Sequence, residues 1–212
     1  MVNPALIRTF KETLLGREPN TMMIRSPYSN RLLKPFIWRD YETRIQKALV
    51  MHQLLLYCNR KNQRYKCPPM KPIDYCYIQP EHIRQVNHLL CDTFWPGIDI
   101  SDSLLTPDYT VVATYGKLVI GVALMTPIGY ITYICVSPYW RRYKIATFML
   151  YHLLQACPDK DITLHVSATN NAMLLYNQFG FKPEEYIIGF YSKYMPEGTE
   201  ESKNAFLLRL RR

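Results

Sequence analysis

The sequence predicts an α+β fold, a mixed sheet covered by helices, set behind a basic N-terminal extension. Three observations predict it. Of 212 residues, 48% are apolar, enough for a sizeable core. From residue 72 onward, strand-length and helix-length apolar segments alternate between turn signals. The formal charge of +9 is also unevenly placed, with 14 Lys/Arg against 4 Asp/Glu in residues 1–71 and 12 against 13 in residues 72–212.

Residues 1–71 form the basic arm. Within it, 40–57 has helical spacing, with Ile45, Leu49, His52 and Leu56 near one face. Residues 59–72 turn basic and then proline-rich (CPPMKP), which reads as an extended linker and places the boundary to the second domain, 72–212, at its end. In that domain 74–79 reads as a strand. Residues 80–94 read as a helix opened by Pro80, with Ile83, Val86, Leu89 and Leu90 inward, and Trp95-Pro96-Gly97 breaks it. Three strands follow at 109–115, 117–125 and 129–136, the first two joined by a turn at Gly116. A helix is expected at 144–157, stopped by Pro158, a strand at 161–167, and a helix at 170–179 ended by Gly180. Strands at 185–191 and 204–210 complete the order β-α-βββ-α-β-α-ββ.

Several function classes are disfavoured. The six cysteines form no C-x-x-C pair and no His follows at zinc-like spacing, so no metal is expected, and reduced thiols are the natural reading. The longest uncharged apolar stretch, 118–125, is far short of the roughly 20 residues that span a bilayer, so no membrane partner is expected. Arg8, Lys11 and Arg17 have some presequence character, but Glu12 and Glu18 interrupt it. The arm's charge allows salt-sensitive, non-specific contact with nucleic acid at most, since no base-reading motif accompanies it. Leu54-Leu55-Leu56 and the arm's aromatics read as docking residues rather than as a charged tail.

Two segments carry the chemistry. In YITYICVSPYWRRYKIATF (130–148) a strand runs through a basic turn into a helix. A helix N-terminus leaves backbone N–H groups unpaired and carries about half a positive charge, an arrangement that binds phosphate. Arg141, Arg142 and Lys144 surround it, and no Asp or Glu occurs between Asp108 and Asp159. In HVSATNNAMLLYNQFGF (165–181) the spacing groups Ala172, Leu175, Tyr176 and Phe179 on neighbouring helical faces. Taken alone, Tyr176 reads more readily as a packed tyrosine than as a catalyst.

Residues 141–146 (RRYKIA) resemble the GNAT acetyltransferase signature R/Q-x-x-G-x-G/A, and 172–181 resemble that family's second motif, in the expected order. The resemblance covers about 74–212 and implies a GNAT fold, mixed and mostly antiparallel, with acetyl-CoA as co-substrate. It implies that the backbone of Ile134, Cys135 and Val136 pairs with the pantetheine arm. Arg141, Arg142, Tyr143, Lys144, Ile145, Ala146 and Thr147 would wrap the pyrophosphate, with Asn171 adjacent. Tyr176 would sit beside the sulfur, and Trp95, Asp99 and Asp102 would line or cap the acceptor groove.

The segments RDYET, PIDYCYI, FWPGID, TLHVSA and FLLRLRR extend the resemblance, toward GNAT subunits of histone-acetylating complexes of the ATAC type. That likeness implies a histone or other protein lysine as acceptor, chromatin-complex subunits as partners, and the nucleus as location.

Two departures point the other way, toward a weak or inactive GNAT scaffold. Lys144 replaces the signature glycine, which costs about 1–2 kcal/mol if the backbone there is left-handed. If the backbone is helical instead, Lys144 could help hold phosphate. The usual strand glutamate base is replaced by Tyr130, leaving His165, with its ordinary pKa near 6.5, and Asp99 and Asp102, acting through water, as substitute bases. A lone strand histidine is nonetheless more often structural. Cys135 is read as packing rather than as a nucleophile.

Overall fold

A computed structural model describes residues 23–195 and 202–212; the presequence-like stretch lies outside them. The strands are β1 (Ile24–Arg25), β2 (Leu32–Leu33), β3 (Trp38–Asp40), β4 (Ile73–Cys76), β5 (Thr110–Tyr115), β6 (Leu118–Met125), β7 (Tyr130–Val136), β8 (Ile162–Ser167), β9 (Lys182–Ile187) and β10 (Ala205–Leu210). The helices are α1 (Gln46–Cys58), α2 (Ile83–Thr93), α3 (Ile145–Ala156) and α4 (Ala172–Gln178). Strands β1 and β2 make a small hairpin. The other eight form one sheet in the order β3-β4-β5-β6-β7-β8-β10-β9. Every neighbouring pair is antiparallel except β7 and β8.

Alternation along the strands divides the apolar residues between two faces. On one face Ile73, Val111, Ala123, Ile131, Ile162, Leu164 and Val166 pack with Met149, Leu150 and Leu153 of α3. On the other, Cys76, Val112, Val122, Leu124 and Cys135 pack with Val86 and Leu90 of α2. Val86 and Leu90 are buried as their spacing predicts, while Ile83 and Leu89 are half-buried at the margin.

The boundary expected at 71/72 falls inside the sheet. Strand β3 of the arm pairs with β4, and the Arg39 guanidinium holds the Asp74 carboxylate through two bonds of 2.7 and 3.2 Å. Trp38 stacks on Tyr75 at 5.8 Å and meets Phe148 of α3 at 4.8 Å, and Ile45 lies in the main core. The β1–β2 hairpin is held by Ser26 and Ser29, whose hydroxyls both donate to Asp108. Three residues of strand are too short a signal to stand out within a basic, irregular segment.

Strand β9 ends at Ile187, and 188–195 form turns where a strand was expected to run to 191. An extra residue, Glu184, bulges from β9 between the pairs Leu207↔Glu185 and Leu208↔Pro183. Pro183 is tolerated because β9 is the sheet's edge.

Candidate active site

The site begins where two strands part. Strand β7 stays paired with β6 along its length, to Val136↔Gly121, yet meets β8 only at Tyr130↔Thr163 and Ile131↔Leu164. From Thr132 onward β7 and β8 diverge. The register supplies a cause: Leu124 faces Tyr133 while Met125 faces Ile131, so Thr132 is an extra residue, and such a bulge bends and twists its strand. The Thr132 hydroxyl donates to Leu124 O at 3.2 Å, fixing the bulge to β6. Ser137 N–H bonds back to Ile120 O at 2.8 Å. By antiparallel alternation Ile134 and Val136 therefore turn their N–H and C=O groups toward the opening.

At the mouth of this opening lies the basic turn. Among the described residues, no acceptor pairs with the N–H groups of residues 142 to 147. The first helical bond is Phe148 N–H to Lys144 O at 3.0 Å. Six consecutive free amides at a helix N-terminus suit a diphosphate. Lys144, at φ 60° and ψ 13°, is the left-handed N-cap of α3, and Arg142 is also at positive φ, 71°. Alternating backbone hands of this kind curl successive N–H groups inward. Of the two alternatives for Lys144, the strained one therefore holds.

The side chains of this turn do other work. Arg141 Nε donates to Val136 O at 3.1 Å, tying the turn to the strand end. The Tyr143 hydroxyl accepts the N–H of Gln46 at 3.0 Å, tying it to α1. Ile145 is buried in the core, so only its backbone faces the mouth. Ala146 and Thr147 are half-buried, and Asn171 is the exposed N-cap of α4. Replacing Lys144 with Gly or Asn is expected to raise stability by about 0.5–1 kcal/mol, the strain relieved less the greater freedom of the unfolded chain. For a chain of this size that is about 1–4 °C in Tm, read by calorimetry. An unchanged Tm would mean that Lys144 gains compensating contacts.

On the α2 face of the opening, Tyr130 Oη lies 2.9 Å from His165 Nδ1. The His165 ring stacks on Phe190 at 4.2 Å. Burial pushes the His165 pKa below its ordinary value, with Glu185 opposing, so the neutral imidazole is favoured. Burial also raises Tyr130, with Tyr133 and Tyr194 adding to the shift. The pair is thus a neutral phenol against a neutral imidazole.

Tyr176 lies on α4 and is part of the main core. It is 8% exposed and packs edge-on to Phe181 at 5.8 Å. Burial, and then the neighbouring Tyr191, lift its pKa above the usual range. Tyr191 is itself pushed up to about 12 by burial and Tyr130. Tyr191 is thus electrostatically coupled to Tyr176 and to Tyr130.

Trp95 belongs to the aromatic wall of this groove. It stacks on Tyr194 at 4.4 Å and 15°, and lies 6.1 Å from Tyr191 and 6.2 Å from Tyr133. Asp99 is exposed. Its carboxylate accepts from Asn87 Nδ2 at 3.0 Å, from the Ser101 hydroxyl at 2.7 Å and from Ser101 N–H at 3.1 Å, just ahead of the short helical turn Ser101–Leu105. Asp102 is exposed in the first turn of that element. Cys135 is buried, donates to Thr93 Oγ1 at 3.3 Å and has its thiol pKa raised by burial, all consistent with packing. Sequence reasoning missed Tyr133, Phe190, Tyr191 and Tyr194. The last three follow the end of β9, where an expected strand concealed a turn carrying three aromatics within five residues.

Residues 99–187 match the family model described as Acetyltransferase (GNAT) domain. Over 210 residues the chain is 50% identical to human Cysteine-rich protein 2-binding protein, covering 96% of this chain and 27% of that protein. It spans about a quarter of the length of the curated relatives it matches. The solved structure of Arabidopsis thaliana Naa50 with the bisubstrate analogue CoA-Ac-MVNAL superposes with a TM-score of 0.55 at 20% identity, covering 66% of this chain and 99% of that one. Arabidopsis thaliana NAA60 in complex with acetyl-CoA superposes at 0.52 and 18% identity, covering 66% and 99%. These likenesses establish the GNAT fold. Among the described residues, no group of three or more His, Cys, Asp or Glu could hold a metal ion.

Proposed function

We propose that the chain is an acetyl-CoA-dependent N-acetyltransferase acting on a protein amine, with a histone lysine as acceptor. The parting of β7 from β8, with six free amides at its mouth, carries this reading. The amides of residues 142–147 hold the diphosphate of the co-substrate, and the Ile134 and Val136 backbone pairs with its amide arm. Bound acetyl-CoA supplies a thioester carbonyl as the acetyl donor. A lysine amine, with pKa about 10.4, must lose a proton before it can attack. The Tyr130 oxygen takes that proton as its own passes to His165 Nδ1, leaving an imidazolium. The Val136 N–H faces the charge that develops on the carbonyl oxygen. Tyr176 donates a hydrogen bond to the departing sulfur. Because burial lifts its pKa well above a thiol's value of about 8.5, it serves better as a hydrogen-bond donor than as a full proton donor.

The likeness to Cysteine-rich protein 2-binding protein supports placement within a chromatin-modifying complex of the ATAC type, in the nucleus. A second reading, a GNAT scaffold with feeble turnover, is favoured by the strained Lys144. Calorimetric titration with acetyl-CoA followed by acetylation of a histone-tail peptide separates the two. Tyr176→Phe is expected to lower kcat by about tenfold or more, with acetyl-CoA affinity nearly unchanged. Tight binding without turnover would leave the scaffold, and no binding would defeat both.

A further inference from the structure

Helix α1 is apolar without being buried. Nine of its 13 residues are Ala, Leu, Val, Met, Tyr or Cys, and none is buried. Val50, Met51, Leu54, Leu56 and Tyr57 are 43–62% exposed. Val50, Leu54 and Tyr57 stand at i, i+4 and i+7, a continuous stripe about 10 Å long beside Met51. The inward side gains little, with Ala48, Leu49, His52 and Leu55 only half-buried. A contiguous exposed apolar stripe of this kind marks an interaction site. The helix is nonetheless fixed in place, by Gln46 N–H on Tyr143 and by Lys47 Nζ 4.7 Å above the Tyr139 ring.

The charge around the stripe has one sign. From Thr43 to Ile73 there is no Asp or Glu, against seven Lys/Arg, and all seven are exposed. Arg60 lies 4.2 Å over the Tyr57 ring, bringing a cation to the end of the stripe. An apolar strip framed by cations matches one chemistry above others, an amphipathic helix with apolar residues on one side and carboxylates on the other.

We propose that α1 is a docking surface for an acidic amphipathic helix of a partner protein, seated on Val50, Met51, Leu54 and Tyr57 and framed by the surrounding lysines and arginines. The inference requires no catalytic step, so it stands or falls apart from the proposed activity. The probe is a synthetic helix-forming peptide with leucines at i, i+3, i+4 and i+7 and glutamates elsewhere. Controls are a scrambled peptide of the same composition and a version with lysine for glutamate. By fluorescence anisotropy, the full chain should bind the first at least about tenfold more tightly than either control. The double variant Val50→Gln, Leu54→Gln, with both positions exposed and circular dichroism confirming its fold, should weaken that binding about tenfold or more. Salt at about 1 M, where the screening length falls to about 3 Å, should weaken it as well. Equal binding of the scrambled peptide, no binding at all, or an unaffected double variant would overturn the proposal. So would concentration-dependent dimerisation that the double variant abolishes, which would assign the stripe to a second copy. Tighter binding of a random-sequence DNA duplex, undiminished in the double variant, would assign the surface to nucleic acid and overturn it too.

Discussion

Gly129→Ala is expected to destabilise the protein by about 3–4 kcal/mol, among the largest effects of any single methyl group in this fold. Gly129 has φ +91°, and a Cβ there would sit 2.6 Å from Asp161 O, a backbone atom that cannot rotate away. Part of the cost is the positive φ, about 1–2 kcal/mol. The remainder comes from pushing two backbone segments apart. These segments are joined by Thr163 N–H to Gly129 O at 2.9 Å, one residue from Tyr130↔Thr163, the first of the two pairs that join β7 to β8 before they part. The substitution should therefore also displace Tyr130 relative to His165, so turnover falls further than the folded fraction does. Urea unfolding alongside kinetics at a temperature where the variant remains folded would separate the effects. A loss below about 1 kcal/mol would mean that the turn relaxes at little cost.

His165→Ala should lower kcat by about a hundredfold or more, the usual range for removing a group that takes a proton in the reaction. The pH profile is the sharper test. Burial holds the His165 pKa below its ordinary 6.5, so wild-type kcat/KM should rise with pH through an apparent pKa below that value and then level off. His165→Ala should remove this acid limb. Tyr130→Phe should lower the rate yet keep the limb, because the imidazole still titrates. An acid limb that survived in His165→Ala would place the base elsewhere and reduce His165 to packing against Phe190.

Tyr130 shows what could be read from sequence and what could not. Counting back from the basic turn places it where the strand base is expected from the resemblance, and His165 falls on a neighbouring strand. That the two are hydrogen-bonded depends on the β7–β8 register, which two residue pairs set and periodicity alone does not reveal. Most strands and helices from 72 onward were legible from their hydrophobic periods, many with a Gly or Pro close to an end. Strand β3 was not, since it consists of three residues whose pairing with β4 depends on Arg39 and Asp74, 35 positions apart. The left-handed state of Lys144 was an open alternative, because its side chain carries no preference for that conformation and the tertiary context imposes it. The aromatic wall at 190–194 was hidden for a related reason: tyrosine and phenylalanine favour strands, and Gly189, at φ 71°, marks where that strand gives way.

The place of β3 has a practical outcome for anyone shortening the chain. All four residues of β4 are buried, with β3 covering one flank and β5 the other. A fragment starting at residue 72 would bare a flat, apolar ribbon of unsatisfied amides and carbonyls, together with Tyr75 and the ring of Phe148. Such ribbons recruit their own kind, so that fragment should stack strand to strand into aggregates and not stay dispersed.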